Sequence, residues 1–504
     1  MPHDQQKTIV VSGVFPSHLL PGAPLVETVR DPRDPTRLLF LRWENGIATV
    51  APRIEHNGVV YVPPDPRARL HPEITLPDGV RPCRQPAALI ADMVDLFGKF
   101  VETDREQLLL LASLGLCSWF PDCFETVPYC WIVGPPGSAK TKLLRLLSCV
   151  CRRALLVGDI RPGSLYTLTD SYNPTLLIDE LDLDDSSRSA DILRLLRTGT
   201  AAGVPAVRNG TPFSTYGVKA VASRQVPRDA ALLSRGFIIR MLPTRKETAP
   251  LDDHAMCKIS QRLQPELLEF RFTSYSKVKK FRLAPRALQD CTPRTRQIGL
   301  ALAAPLQGHL ENESLILSAL RERDSEAEAE RLLEPEWLVG EALFRQCHEG
   351  EISSTLVGGI AASINQKLEF QGEDFRIGAR RVGWILKSLG VPTQRLGSLG
   401  RGLMFMPGQR RQIHAIARHL GICRRTIATL QGLEAGYGGS RCLLCEEFGL
   451  TDGLRFGEPG NGTPRRFSQD QRCTVPFPRS KQGGSRLARN VSGANPRFPE
   501  RETK

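Results

Sequence analysis

The stretch "VGPPGSAKTKLLRLL", residues 133–147, decides how the rest of this 504-residue chain is read. The apolar run "YCWIV" leads into Gly134 and Gly137, and "KTKLLRLLS" follows with leucines at helical spacing. A strand, a glycine-bearing turn and a helix in that order aim backbone N–H groups and the positive end of the helix at an anion. In such a loop Gly134, Pro135, Pro136, Gly137, Ser138, Ala139, Lys140 and Thr141 surround the phosphates of ATP. Lys140 reaches the β and γ phosphates, and the Thr141 hydroxyl holds Mg²⁺. The glycines supply the backbone freedom for the curl. Ala139 stands where the usual pattern has glycine. Its place in the first helical turn predicts ordinary helical dihedrals and little cost for its methyl group.

A second apolar strand, "TLLIDELD" (175–182), ends in two acids. Paired with the loop upstream, Asp179 is the candidate Mg²⁺ holder and Glu180 the residue that orients and activates water. The second acid favours hydrolysis over phosphoryl transfer to a small molecule. Between 127 and 245, "YCWIV", "ALLVGDI", "TLLIDE", "VKAVAS" and "GFIIRML" alternate with helical or loop segments, which predicts a parallel α/β core.

These segments, with "VKAVASRQVPRDAALLSRGFIIRM" (218–241), resemble AAA+ P-loop ATPases. The resemblance implies that Ser223, where the family often has Asn or Thr, is the polar sensor. It further implies that Arg235, closing "DAALLSR", is an arginine finger acting on a neighbouring subunit, and hence a homo-oligomer. Arg294 or Arg296 in "TPRTRQ" is the candidate second sensor. Minichromosome-maintenance helicases in that family also carry Ala before the loop lysine and are hydrolases.

Around this core, residues 1–84 are β-rich in pattern and 85–126 read as two helices. Residues 246–334 read as a helical lid and linker, including the charged "RERDSEAEAERLLEPE". The expected fold is therefore an α/β P-loop NTPase with a helical lid, a small β-rich N-terminal region and a C-terminal winged helix. The winged-helix expectation rests on 335–422, where "EALFRQCHEG", "STLVGGIAASINQKL" and "GARRVGWILKSLG" read as helices and "TQRLGSLGRGLMFM" as two strands around a Gly-rich turn. The third helix of such a module enters the major groove, and Arg380, Arg381, Lys387, Arg395 and Arg401 lie on it and the wing as candidate phosphate contacts. A protein-contact module with a solvated basic face is the plain alternative.

"GVPAVRNGTPFSTYG" (203–217) carries Asn209-Gly210, a hairpin signal, with Arg208 beside the tip as a candidate DNA contact and Lys219 further back. The alternative is an ordinary surface hairpin. Net charge +13 favours a polyanionic partner, although part of it lies in the Arg/Gly/Pro/Ser-rich tail 459–504, which reads as disordered. The 13 scattered cysteines do not form the framework of a small secreted domain and point to reduced, cytoplasmic thiols. In the segment 423–458, Cys442-x-x-Cys445 is half of a zinc-ligand set, with Cys423, His414 and His419 as candidates for the rest. Without a second matching pair, two free thiols are the favoured reading. The most apolar stretch, 108–120, is too short for a bilayer and reads as a buried helix.

The functional expectation is Mg²⁺-dependent ATP hydrolysis coupled to DNA, as a helicase or replication-associated motor. The overall pattern is similar to helicase–primase-type ATPases of phages and integrated elements. The rivals are an ATP-switched DNA-binding regulator and a chaperone-like remodeller of proteins.

Overall fold

The computed structural model describes residues 9–12, 25–56, 58–63, 74–158, 162–179, 187–208, 210–227, 229–244, 248–348, 353–423 and 442–450. Glu180, Asn209 and the tail 459–504 lie outside the described residues.

The N-terminal strands are β1 (Ile9–Ser12), β2 (Leu25–Arg30), β3 (Leu38–Glu44), β4 (Ile47–Ala51), β5 (Ile54–His56) and β6 (Val59–Val62). Strands β2, β3 and β4 form an antiparallel meander, and β6 pairs with β1 and β5. Asn45-Gly46, both at positive φ, makes the two-residue turn between β3 and β4. Helices α1 (Pro86–Phe100) and α2 (Arg105–Cys117) follow. Asp104 caps α2 by accepting from the Gln107 N–H at 2.7 Å, and every residue of α2 from Leu108 onward is buried. No helix among the described residues is long and apolar enough to cross a membrane.

The core holds β7 (Tyr129–Val133), α3 (Lys140–Val150), β8 (Leu155–Val157), α4 (Pro162–Tyr172), β9 (Leu176–Ile178) and α5 (Ser187–Thr198). The hairpin β10 (Ala206–Arg208) and β11 (Thr211–Phe213) comes next, then β12 (Lys219–Ser223), α6 (Ala230–Leu233) and β13 (Gly236–Arg240). The five expected strands form one parallel sheet in the order β13-β7-β12-β9-β8. Their apolar runs are continuous because both faces are covered. Cys130, Ile132, Ala220, Ala222, Phe237 and Ile239 pack on the side of α1, α2 and α3. Their neighbours Tyr129, Trp131, Val133, Val221 and Ile238 face α4 and α5, which is the period of two that a strand imposes.

A long helix, α7 (Asp253–Lys280), packs on α3 and is followed by α8 (Pro293–Ala303) and α9 (Leu310–Arg331). A buried ion cluster joins α7 to the N-terminal meander. Glu27 of β2 accepts from Arg152 at 2.7 Å and Arg153 at 2.7 Å, just past α3, and pairs with Arg271 of α7 at 2.8 Å. Asp122 takes two further Arg271 hydrogen bonds, at 2.8 and 2.9 Å. Burial alone would push the Glu27 carboxyl up, but the three guanidiniums outweigh it and hold it at about 2.

A separate apolar cluster holds α10 (Pro335–Gln346), β14 (Ser354–Leu356), α11 (Val357–Phe370), α12 (Ala379–Ser388), β15 (Gln394–Arg395), β16 (Arg401–Met404), α13 (Pro407–Leu420) and α14 (Leu443–Phe448). The expected helix over "STLVGGIAASINQKL" begins only at Val357. Ser354–Leu356 is instead a strand, because β16 offers it an antiparallel partner from about fifty residues on. The sheet order is β14-β16-β15, with the Gly397 and Gly400 turn between β15 and β16 at positive φ.

Candidate nucleotide-binding site

Parallel strands deliver their C-terminal ends to one edge, where α/β sheets bind ligands. At that edge β7 runs into the loop 134–139, β12 ends at Ser223 and β9 hands on to Asp179. Strand β12 lies between the other two, so the loop and Asp179 are about 10 Å apart across two strand spacings. Gly134 donates its N–H to the Ser223 carbonyl at 3.3 Å, and the Ser223 hydroxyl donates to the Gln225 carbonyl at 2.7 Å. The Asp179 N–H is fixed on the Val157 carbonyl at 2.8 Å.

The two glycines do different work. Gly137 sits at φ 78°, the left-handed region that glycine favours. Gly134 has no such dihedral; a Cβ there would collide with the Met241 carbonyl and the Ser138 hydroxyl. Its role is close approach rather than freedom. The Lys140 ammonium is buried and donates to the Gly134 and Pro135 carbonyls at 2.7 and 2.9 Å. Thr141 follows in the first turn and is exposed. Residues 139–142 open α3, and the first N–H groups of a helix have no intrahelical acceptor.

Ala139 overturns the expectation of helical dihedrals. It is the N-cap of α3, at φ 63° and ψ 22° in the left-handed region, with no side-chain cap. The loop enters the helix through a left-handed residue, which is why glycine is usual there. Left-handed alanine costs about 1–2 kcal/mol, partly offset by the greater chain entropy of glycine. Ala139→Gly should therefore stabilise the fold by roughly 1 kcal/mol in urea unfolding. A midpoint that does not rise would count against this account.

Arg235 lies at the opposite edge. Its carbonyl accepts from the Tyr129 N–H at 3.0 Å at the start of β7, so the length of the strand, about 13 Å, separates it from the loop. Its guanidinium donates to the Ala231 carbonyl, while Nε is buried with no partner among the described residues. Burial, with Arg294 beside it, lowers its pKa. Asp229 caps α6 through the Leu232 N–H at 3.2 Å and pairs with Arg197 of α5 at 2.6 Å, fixing the segment that carries Arg235. Arg294 thus sits on the Arg235 side, away from the loop, and Arg296 is on the same helix.

The β10–β11 hairpin closes with Gly210 at φ 77°. Arg208 does not extend beyond its tip: it donates to the Tyr166 hydroxyl at 2.8 Å and lies over that ring at 4.8 Å. Lys219 is fully buried, donating to the Thr215 and Gly217 carbonyls at 2.8 and 3.0 Å, and burial lowers its pKa to about 7.

On α12, Arg380, Arg381 and Lys387 are exposed, and so are Arg395 and Arg401, which face each other across β15 and β16. Trp384 lies among them, 67% exposed. The sequence analysis did not single it out, yet it stands about 200° around the helix from the buried Val382. That angle was the available signal. Elsewhere in this part, His414, Cys442 and Cys445 come together with His348, whereas Cys423 is buried outside the group and His419 is exposed.

No protein-family model matches the chain, and no curated relative does. Solved structures similar to it include a full-length MCM homologue from Methanopyrus kandleri, at TM-score 0.34 and 12% identity over 63% of this chain and 80% of that one. The C-terminal region of NrS-1, in its apo A form, gives TM-score 0.32 and 11% identity over 75% and 96%. The active helicase Cch of SCCmec type IV gives 0.35 and 12% over 80% of each chain. At these scores the likeness carries no assignment, and the reading of the chain rests on its own residues.

Proposed function

We propose that this chain is a Mg²⁺-dependent ATPase of AAA+ type that works as an oligomer on DNA. The observation that carries the reading is the single edge shared by the loop 134–139, Ser223 and Asp179, with the buried Lys140 ammonium already resting inside the loop. The loop suits a triphosphate: Gly134 lets it pack closely beneath Met241 and Ser138, and the opening N–H groups of α3 are available to phosphate oxygens. On binding, Lys140 exchanges two carbonyls for phosphate oxygens and holds negative charge. Thr141, and Asp179 through water, would hold Mg²⁺, which would neutralise phosphate charge when bound. Glu180, next to Asp179 in sequence, orients water, and Ser223 helps position it. Arg235 lies on the wrong edge for its own loop, so it serves the site of a neighbouring subunit.

The DNA contact is assigned to the 335–422 module, read as a winged helix with α12 as its recognition helix. Exposed cations beside an exposed tryptophan suit phosphates and a base or sugar face. ATP hydrolysis by the full chain, measured with and without single- and double-stranded DNA, tests the coupling. Stimulation by DNA is expected; turnover indifferent to both would favour remodelling of a protein partner. For the interface itself, Arg380→Ala/Arg381→Ala should weaken DNA binding and reduce the slope of log affinity against log salt by about two. An unchanged slope would leave that face merely solvated.

A further inference from the structure

We propose that His348, His414, Cys442 and Cys445 form a structural zinc site. The four donor atoms lie within 4.8 Å of one another. Cys442 Sγ is 3.4 Å from His414 Nε2, and Cys445 Sγ is 3.2 Å from His348 Nε2. A tetrahedral zinc with ordinary Zn–S and Zn–N bonds sets its ligands about 3.3–3.8 Å apart. The two sulfur–nitrogen separations are therefore near those of a loaded site, and the widest spread of the group, within 4.8 Å, closes by about 1 Å on binding.

Both imidazoles are oriented for the task. His348 Nδ1 meets the Phe344 carbonyl at 2.7 Å, and His414 Nδ1 meets the Arg410 carbonyl at 2.6 Å, each one helical turn back. A carbonyl only accepts, so Nδ1 carries the proton and Nε2 turns its lone pair toward the sulfurs. This is the outer-shell arrangement that holds metal-bound histidines in place. His414 and Cys445 are buried at 1% and 0% exposure, and Phe344 packs edge-on against both rings.

The chemistry selects the metal. Two thiolates and two imidazoles suit zinc, and four protein donors leave no position open for a substrate, so the role is structural. Binding releases the two thiol protons to solvent, and the two thiolates neutralise the dication, leaving no net charge in the buried site. The donors come from the turn just past α10, the middle of α13 and the start of α14. Helix α14 has six residues, too few to hold itself together. The metal fastens it, with buried Leu450, onto the second apolar cluster.

The full chain, expressed with zinc and purified without chelator, should carry about one zinc per chain by plasma mass spectrometry, surviving dialysis and released by a mercurial thiol reagent. Cys442→Ser/Cys445→Ser and His348→Ala should each lose it. Since those variants could lose zinc by unfolding, His348→Cys provides the second arm. It should keep one metal, and its Co²⁺ form should gain thiolate-to-cobalt absorption over the wild-type Co²⁺ form. The proposal fails if folded wild-type chain holds under a tenth of an equivalent, or if the double cysteine variant keeps wild-type zinc. A Cys442–Cys445 disulfide in place of metal would overturn it equally.

Discussion

Lys140→Ala is expected to lower ATP turnover by at least a hundredfold while the chain stays folded. The ammonium is the cation already held in the loop 134–139, where its present partners are two carbonyls. Removing a single preorganised donor to developing charge typically costs a factor of 10² to 10³ in rate. The structural cost is small, because the Pro135 end of the loop is exposed and water replaces the lost donor. Steady-state phosphate release and an unchanged circular dichroism spectrum would together make the measurement. Turnover within threefold of wild type would remove the nucleotide site from this loop. Arg235→Ala should be similarly inactive for a different reason. Mixing it with Lys140→Ala should restore part of the turnover, because a site that joins an intact loop to a neighbour's intact Arg235 exists only in mixed oligomers. No recovery on mixing would argue against a shared site.

Glu27→Gln is expected to destabilise the fold by about 3–5 kcal/mol, the range for breaking a buried ion network from one side. The amide keeps the shape but leaves Arg152 and Arg153 without their carboxylate and Arg271 with Asp122 alone. Urea unfolding would register the change; a loss under 1 kcal/mol would mean that water or another carboxylate compensates. The same group gives a pH signature. Its carboxyl titrates near 4.5 ordinarily and near 2 in the fold, so across that window the unfolded chain binds more protons. The stabilisation is complete above about 4.5 and fades as pH falls toward 2. The Glu27→Gln chain should lack that component of acid sensitivity.

Much of the core was legible in the sequence. The five strands announced themselves because a strand covered on both faces is apolar throughout, and that property is local. The loop-to-helix transition was legible for the same reason: glycine, lysine and the leucine spacing lie within fifteen residues. A hairpin at this place followed from turn chemistry alone: β10 and β11 pair, and Gly210 lies at positive φ, while Asn209 is outside the described residues. The helices of 335–422 were found, but the short strand at 354–356 was not, since its partner is distant in sequence.

Other features had no local signature. The left-handed Ala139 is one of them, since alanine before a leucine-rich helix looks helical. Glu27 reads as an ordinary polar residue in a strand until the fold brings Arg152, Arg153 and Arg271 around it. His348 has no spacing relation to Cys442 and Cys445, and only the packing of α10 against α13 sets it beside them. Arg208 looked free at a hairpin tip until Tyr166 of α4 came under it. The sequence by itself determined the parallel core and the strand–loop–helix at 129–150, because both are written in short-range pattern and backbone chemistry. Tertiary structure alone decided which charges are buried together, which edge Arg235 occupies and which two histidines and two cysteines gather at α10, α13 and α14, because those depend on contacts between segments that no local period encodes.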